Sequence, residues 1–141
     1  MTYFANIPNK RDKIFSGILY LGVYVPLIAW VPLIWLIVVN IKKITIKDFL
    51  KYHCYQALLF NMLVFFLPGL LTTLVSFISN LLSILLFFDN TISILASINE
   101  WVLNLYFIAI KVIAIYAVIW TMRGKYTDLP PISQAVNYLL R

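Results

Sequence analysis

Lys111 is the residue whose position asks most of the fold. It lies inside an uncharged apolar run, midway between Trp101 and Trp120, about 14–15 Å along a helix from either. An ammonium at that depth costs at least ~2.5–3.5 kcal/mol on membrane-insertion scales and is too deep to snorkel easily. It should therefore meet protein, water or an acid partner. Glu100, Asn104 and Lys111 follow at offsets of four and seven and share one helical face. Glu100 lies about 16 Å from Lys111 along that helix and cannot neutralise it. Two roles fit this face: a polar contact with a neighbouring helix, or a hydrated path open to a substrate.

His53 is the only histidine, and with Phe49, Gln56 and Phe60 it forms a second face at spacings of four, three and four. A proton relay or a ligand would use it one way. Without a carboxylate or second histidine in register, the favoured reading is that His53 and Gln56 pin helix ends through hydrogen bonds. A third face carries Gly69, Thr72, Ser76, Ser79 and Ser83, all small and at spacings of three and four. Such a stripe suits a helix–helix seam, or else a water-lined surface.

No catalytic constellation accompanies these residues. The sequence has no paired intramembrane aspartates, no HExxH, no Ser-His signature and no glycine-rich phosphate loop. Five acidic residues, scattered at segment ends, give hydrolysis or metal chemistry nothing to use. The reading is of a non-enzyme without metal or cofactor. Cys54, the only cysteine, is a small packing residue and permits no intramolecular disulfide.

The elements that must position these residues follow from composition. The 141 residues are 63% hydrophobic and 11% charged, against about 45–50% and about 25% in ordinary soluble domains. Too few polar side chains remain to cover a soluble surface. That excludes a soluble enzyme, a nucleic-acid module, a disulfide scaffold and a disordered tail, and leaves an all-α integral membrane protein. Its net charge of +6 sits mainly at segment ends, in Lys10, Arg11 and Lys13, in Lys42, Lys43, Lys47 and Lys51, and in Arg123, Lys125 and Arg141. This is the pattern that orientation and anionic headgroups select, not a nucleic-acid face.

Four transmembrane helices are expected in a single membrane domain, residues 1–141, at about 14–40, 47–67, 70–88 and 101–122. The first run, Ile14–Ile41, spans 28 residues with Pro26 and Pro32 inside it. A kinked spanning helix is favoured there over a re-entrant hairpin. Pro68-Gly69 should end or sharply bend the second helix and Asp89-Asn90 end the third, with residues 90–99 as a surface connector. Trp101 and Trp120, about 28 Å apart along a helix, read as the two aromatic anchors of the last span. Gly124 should cap that span, and residues 123–141 should form a short interfacial segment after Pro130-Pro131. Basic residues divide six to four between the sides, which slightly favours both termini inside. No signal or transit leader is expected, because the first apolar run is too long for one and no small-residue cleavage site closes it.

Two stretches go beyond composition. Asp48-Phe49-Leu50-Lys51-Tyr52-His53, with Gln56-Ala57-Leu58-Leu59 and Asn61, resembles the start of a span in the Tic twenty family. Arg123-Gly124-Lys125-Tyr126, with Leu129-Pro130, Ile132-Ser133, Ala135-Val136 and Arg141, is similar to that family's C-terminal ending. The family is the small channel subunit of the translocon at the inner envelope of chloroplasts, with cyanobacterial and plastid-encoded homologues. The resemblance covers about residues 14–141; Lys111, Pro131 and Gln134 depart from the family pattern. It implies a four-span subunit of a preprotein-conducting complex, in the plastid inner envelope or the cyanobacterial plasma membrane. Its partners would be other translocon subunits, unfolded preproteins and lipid, with oligomers or a hetero-complex forming any conduit. A small ion or solute transporter, or an assembly factor, is the alternative.

Overall fold

The computed structural model describes residues 8–43, 47–84 and 89–140. All regular structure among them is helical: α1 Lys10–Leu19, α2 Pro26–Ala29, α3 Val31–Ile41, α4 Asp48–Ile84, α5 Asp89–Met122 and α6 Ile132–Leu139. The chain divides into two compact units. One comprises Met1–Met62 with Lys111–Arg141, and the other Leu63–Ile110. The first contains all eleven basic residues and the second none.

In the first unit, Asn9 opens α1, its N–H donating to Asp12 Oδ2 at 3.0 Å. A 3-10 turn, Tyr20–Val23, tightens the end of α1. Val25 is extended, as the residue before a proline must be, and Pro26 starts a new helix where its missing N–H costs nothing. The limbs Lys10–Val23 and Pro26–Ile41 are bent by 119°. Their lengths are about 21 and 24 Å, so their far ends lie about 23 Å apart, short of ~30 Å of hydrocarbon. The break is far sharper than the expected proline kink, and a bend of 119° fits a broken span or a re-entrant loop.

The bend is held by close backbone approach. A Cβ on Gly22 would fall 2.7 Å from Ala29 Cα, so only glycine fits where the limbs meet. Asn61 of α4 donates its Nδ2 to the Leu19 and Ala29 carbonyls, each at 3.4 Å. These carbonyls lie at the ends of α1 and α2. Satisfying such groups from a neighbouring helix is the condition for broken backbone inside a membrane. At the outer end, Lys47 Nζ pairs with Asp12 at 2.9 Å and ties the start of α4 to the start of α1.

α4 begins at Asp48, as the acidic residue suggests, but it does not end at Pro68. The helix runs on to Ile84 with Pro68 inside it. This corrects the division into spans 47–67 and 70–88; the expected end at residue 88 lies outside the described residues. A membrane helix tolerates proline because one missing N–H need not break the flanking turns. α5 is likewise longer than expected, and residues 90–99 are helix rather than surface connector. Two helices, Asp48–Ile84 and Asn90–Met122, are thus long and apolar enough to cross a membrane. Thirty-seven residues make about 55 Å of helix, well beyond one hydrocarbon thickness.

Within the second unit, Tyr106 donates to the Leu63 carbonyl at 2.9 Å. Phe66, Leu70, Phe77, Leu105 and Ile108 are each mostly exposed, a surface suited to hydrocarbon rather than water.

Candidate functional site

The buried polar residues of the first unit meet around Gln56. Tyr20, His53, Gln56 and Thr127 are fully buried, and Ser133 nearly so. α4 supplies His53 and Gln56 from consecutive turns, and the 3-10 turn after α1 supplies Tyr20. Thr127 and Ser133 come from the C-terminal segment, where Pro130-Pro131 start α6 and aim Ser133 inward.

Gln56 uses all four of its hydrogen-bonding positions. Its Oε1 accepts from the Tyr20 hydroxyl at 2.6 Å and from the Thr127 hydroxyl at 2.6 Å. Its Nε2 donates to the Thr127 carbonyl at 3.0 Å and to Ser133 Oγ at 3.0 Å. The Thr127 carbonyl accepts again from the Tyr52 hydroxyl at 3.2 Å, and Ser133 Oγ accepts from the Leu129 N–H at 2.8 Å. The Thr127 carbonyl fixes the orientation of the amide, since a flipped Gln56 would set oxygen against oxygen.

The same accounting assigns the tautomer of His53. Tyr20 has one proton, and the 2.6 Å bond to Gln56 Oε1 takes it. The 2.9 Å contact between the Tyr20 oxygen and His53 Nδ1 must then carry the imidazole proton. That leaves Nε2 as a bare lone pair. Nε2 is buried with no partner within hydrogen-bonding geometry among the described residues.

Aromatic rings close the cluster off. Phe49 sits edge-on to His53 at 4.5 Å, Tyr52 at 5.4 Å and Tyr20 at 5.9 Å, while Tyr126 stacks over it at 5.9 Å. Tyr126 itself, beyond the end of α5, has its hydroxyl pushed up to about 12 by burial, with Asp48 and Tyr52 adding to the effect. No group of three potential metal ligands occurs among the described residues. These rings and the fold around them leave His53 fully buried. Through Gln56 the arrangement ties the C-terminal segment to the start of α4. Cys54 is buried beside it and unpaired.

The other expected site residues lie elsewhere. Thr72, Ser76 and Ser83 are exposed and Ser79 half-buried. Ser83 donates to the Asn80 carbonyl of its own helix at 2.8 Å. Asn104 and Lys111 are also exposed, as is Glu100. Lys111 has no carboxylate within 4.0 Å among the described residues, and its backbone carbonyl accepts from Tyr24 at 3.2 Å.

Tyr20, Thr127 and Asn61's role at the bend escaped the sequence reading. The one signal available was that each is an uncharged polar residue in or beside an apolar run. Comparison with protein-family models, with curated proteins and with solved structures finds no match to this chain.

Proposed function

We propose that this chain is a non-enzymatic membrane subunit of a protein-translocation complex, acting with other subunits on unfolded preproteins. The membrane would be the plastid inner envelope or the cyanobacterial plasma membrane. One observation carries the reading. The two stretches that resemble the Tic twenty family begin 75 residues apart in sequence, at Asp48 and Arg123, yet they form one buried lock. Tyr52, His53 and Gln56 of the first hold Tyr126, Thr127 and Ser133 of the second. Their meeting in one cluster supports reading the two stretches together.

Two long helices cannot enclose a peptide-wide path, so conduction requires further copies or subunits. The exposed Lys111 favours a surface completed by something outside the chain. A photoreactive residue at position 111 or 76 should crosslink to an arrested preprotein or to a copurifying subunit. Absence of adducts at both positions, in a complex that still holds the preprotein, would overturn the reading. A solute transporter, the second reading, also draws on Lys111; it requires Lys111→Leu to abolish flux in liposomes containing this protein alone.

A further inference from the structure

Arg123, Gly124 and Lys125 close α5 with a Schellman turn. The Lys125 N–H donates to the Trp120 carbonyl at 3.2 Å and the Gly124 N–H to the Thr121 carbonyl at 2.8 Å. Gly124 takes the left-handed conformation this turn needs, at φ +73°. The turn folds both flanking cations back onto the helix. Arg123 Cζ lies 5.6 Å and Lys125 Nζ 5.4 Å from the centre of the Trp120 ring, and Tyr116 stacks on that ring at 5.2 Å. Lys13 arrives from α1. Its Cε and Nζ lie 2.7 and 2.9 Å from where a Gly124 Cβ would stand, so the missing side chain makes room for it.

Three cations from two elements thus surround one glycine. No carboxylate lies within 4.0 Å of any of them among the described residues, where the only ion pair joins Lys47 to Asp12. Cation–π contact with Trp120 orients the charges without neutralising them. Over the two turns of α5 that lead up to Arg123, Ile115, Ile119 and Met122 are exposed. An unmatched triad of positive charge directly above an outward apolar face has the polarity of a lipid molecule. A soluble anion would have no use for that face.

We propose that Lys13, Arg123 and Lys125 bind the phosphodiester of an anionic phospholipid, with Trp120 as the aromatic floor at headgroup level. The acyl chains run down the Ile115, Ile119 and Met122 face.

The test uses protein whose other tryptophans, Trp30, Trp35 and Trp101, are changed to Phe, reconstituted in phosphatidylcholine vesicles. Brominated phosphatidylglycerol should quench Trp120 far more strongly than brominated phosphatidylcholine. Each cation near an anionic headgroup is worth about fivefold in affinity, hence about a hundredfold for three at low salt. Lys13→Gln/Arg123→Gln/Lys125→Gln should lose that hundredfold, and each single variant about fivefold, which keeps the test open if the triple variant does not insert. A charge-matched control, Lys10→Gln/Arg11→Gln/Lys42→Gln, should lose under fivefold. Equal quenching by the two lipids, or equal loss in the control, overturns the site. Displacement of the lipid by millimolar glycerol phosphate overturns the lipid assignment in favour of a soluble anion.

Discussion

Replacing Gln56 with leucine tests the buried lock, because volume is nearly kept while all four hydrogen bonds are lost. The losses are unequal. Tyr20 keeps His53, Ser133 keeps the Leu129 N–H, and the Thr127 carbonyl keeps Tyr52. The Thr127 hydroxyl keeps only its 3.3 Å contact with Tyr20. Interhelical hydrogen bonds in membrane proteins average about 0.6 kcal/mol, so four give roughly 2.4 kcal/mol. A nearly orphaned hydroxyl adds about 1 kcal/mol. Gln56→Leu should therefore cost about 2–3.5 kcal/mol in reversible unfolding followed by tryptophan fluorescence in mixed micelles. Thr127→Val alone should cost about 1 kcal/mol. In the double variant the Thr127 hydroxyl is no longer there to be stranded, so the two effects should fall short of their sum by about 1 kcal/mol. Two results refute the reasoning: a Gln56→Leu effect no larger than that of the exposed Ser76→Ala, or strict additivity in the cycle.

Other consequences follow from individual contacts. Gly22→Ala should destabilise by about 1–3 kcal/mol because its Cβ meets backbone at 2.7 Å, whereas Gly69→Ala, with nothing within 4 Å, should stabilise α4 by about 0.5–1 kcal/mol; thermal melts of the pair check the opposite signs. Gly124→Ala should cost about 1–2 kcal/mol through its left-handed backbone, and melts in which Lys13→Ala restores nothing would assign that cost to φ rather than to crowding. Asp12 is held below the usual carboxylate range, first by its hydrogen bond from Lys47, so its contribution is present above about pH 4 and lost as pH falls through the lowered value. Asp12→Asn should flatten the acid limb of a pH-stability curve by no more than about 1 kcal/mol. Tyr126 is raised, so its contribution is intact below about pH 10 and lost as pH rises towards about 12; Tyr126→Phe should remove that alkaline loss.

Much of the fold was legible because bilayer physics leaves few options. An uncharged run flanked by lysines must be helix, and Arg123-Gly124-Lys125 after Trp120 must be a helix end with glycine in the left-handed region. The face shared by Phe49, His53, Gln56 and Phe60 was readable from spacing alone, and all four are buried. The partners of that face were not. Tyr20, Thr127 and Ser133 lie 36, 71 and 77 residues from Gln56, and no local periodicity encodes such separations. Proline misled in both directions. At Pro68 it suggested a helix end or sharp bend, yet the turns on either side hold the helix through one missing bond. At Pro26 it correctly marked a break, but the 119° angle depends on Gly22 lying against Ala29 and on Asn61 reaching the Leu19 and Ala29 carbonyls.

The exposed polar residues raise the question of which of them need something outside the chain. Three of the hydroxyls along α4 and α5 do not: Thr73 donates to the Gly69 carbonyl at 2.8 Å, Ser83 to Asn80 at 2.8 Å and Ser97 to Ser93 at 3.0 Å. A hydroxyl bonded to its own helix carries little penalty in hydrocarbon. Lys111 has no such refuge, because a helix backbone offers no free acceptor in its interior and an ammonium has three protons to satisfy. It lies 12 residues before Arg123, about 18 Å along α5 from the basic end of the helix. Lys111 therefore carries a strong energetic demand for water or a partner on the apolar surface, and contacts mapped outward from it will discriminate a translocation subunit from a self-contained transporter.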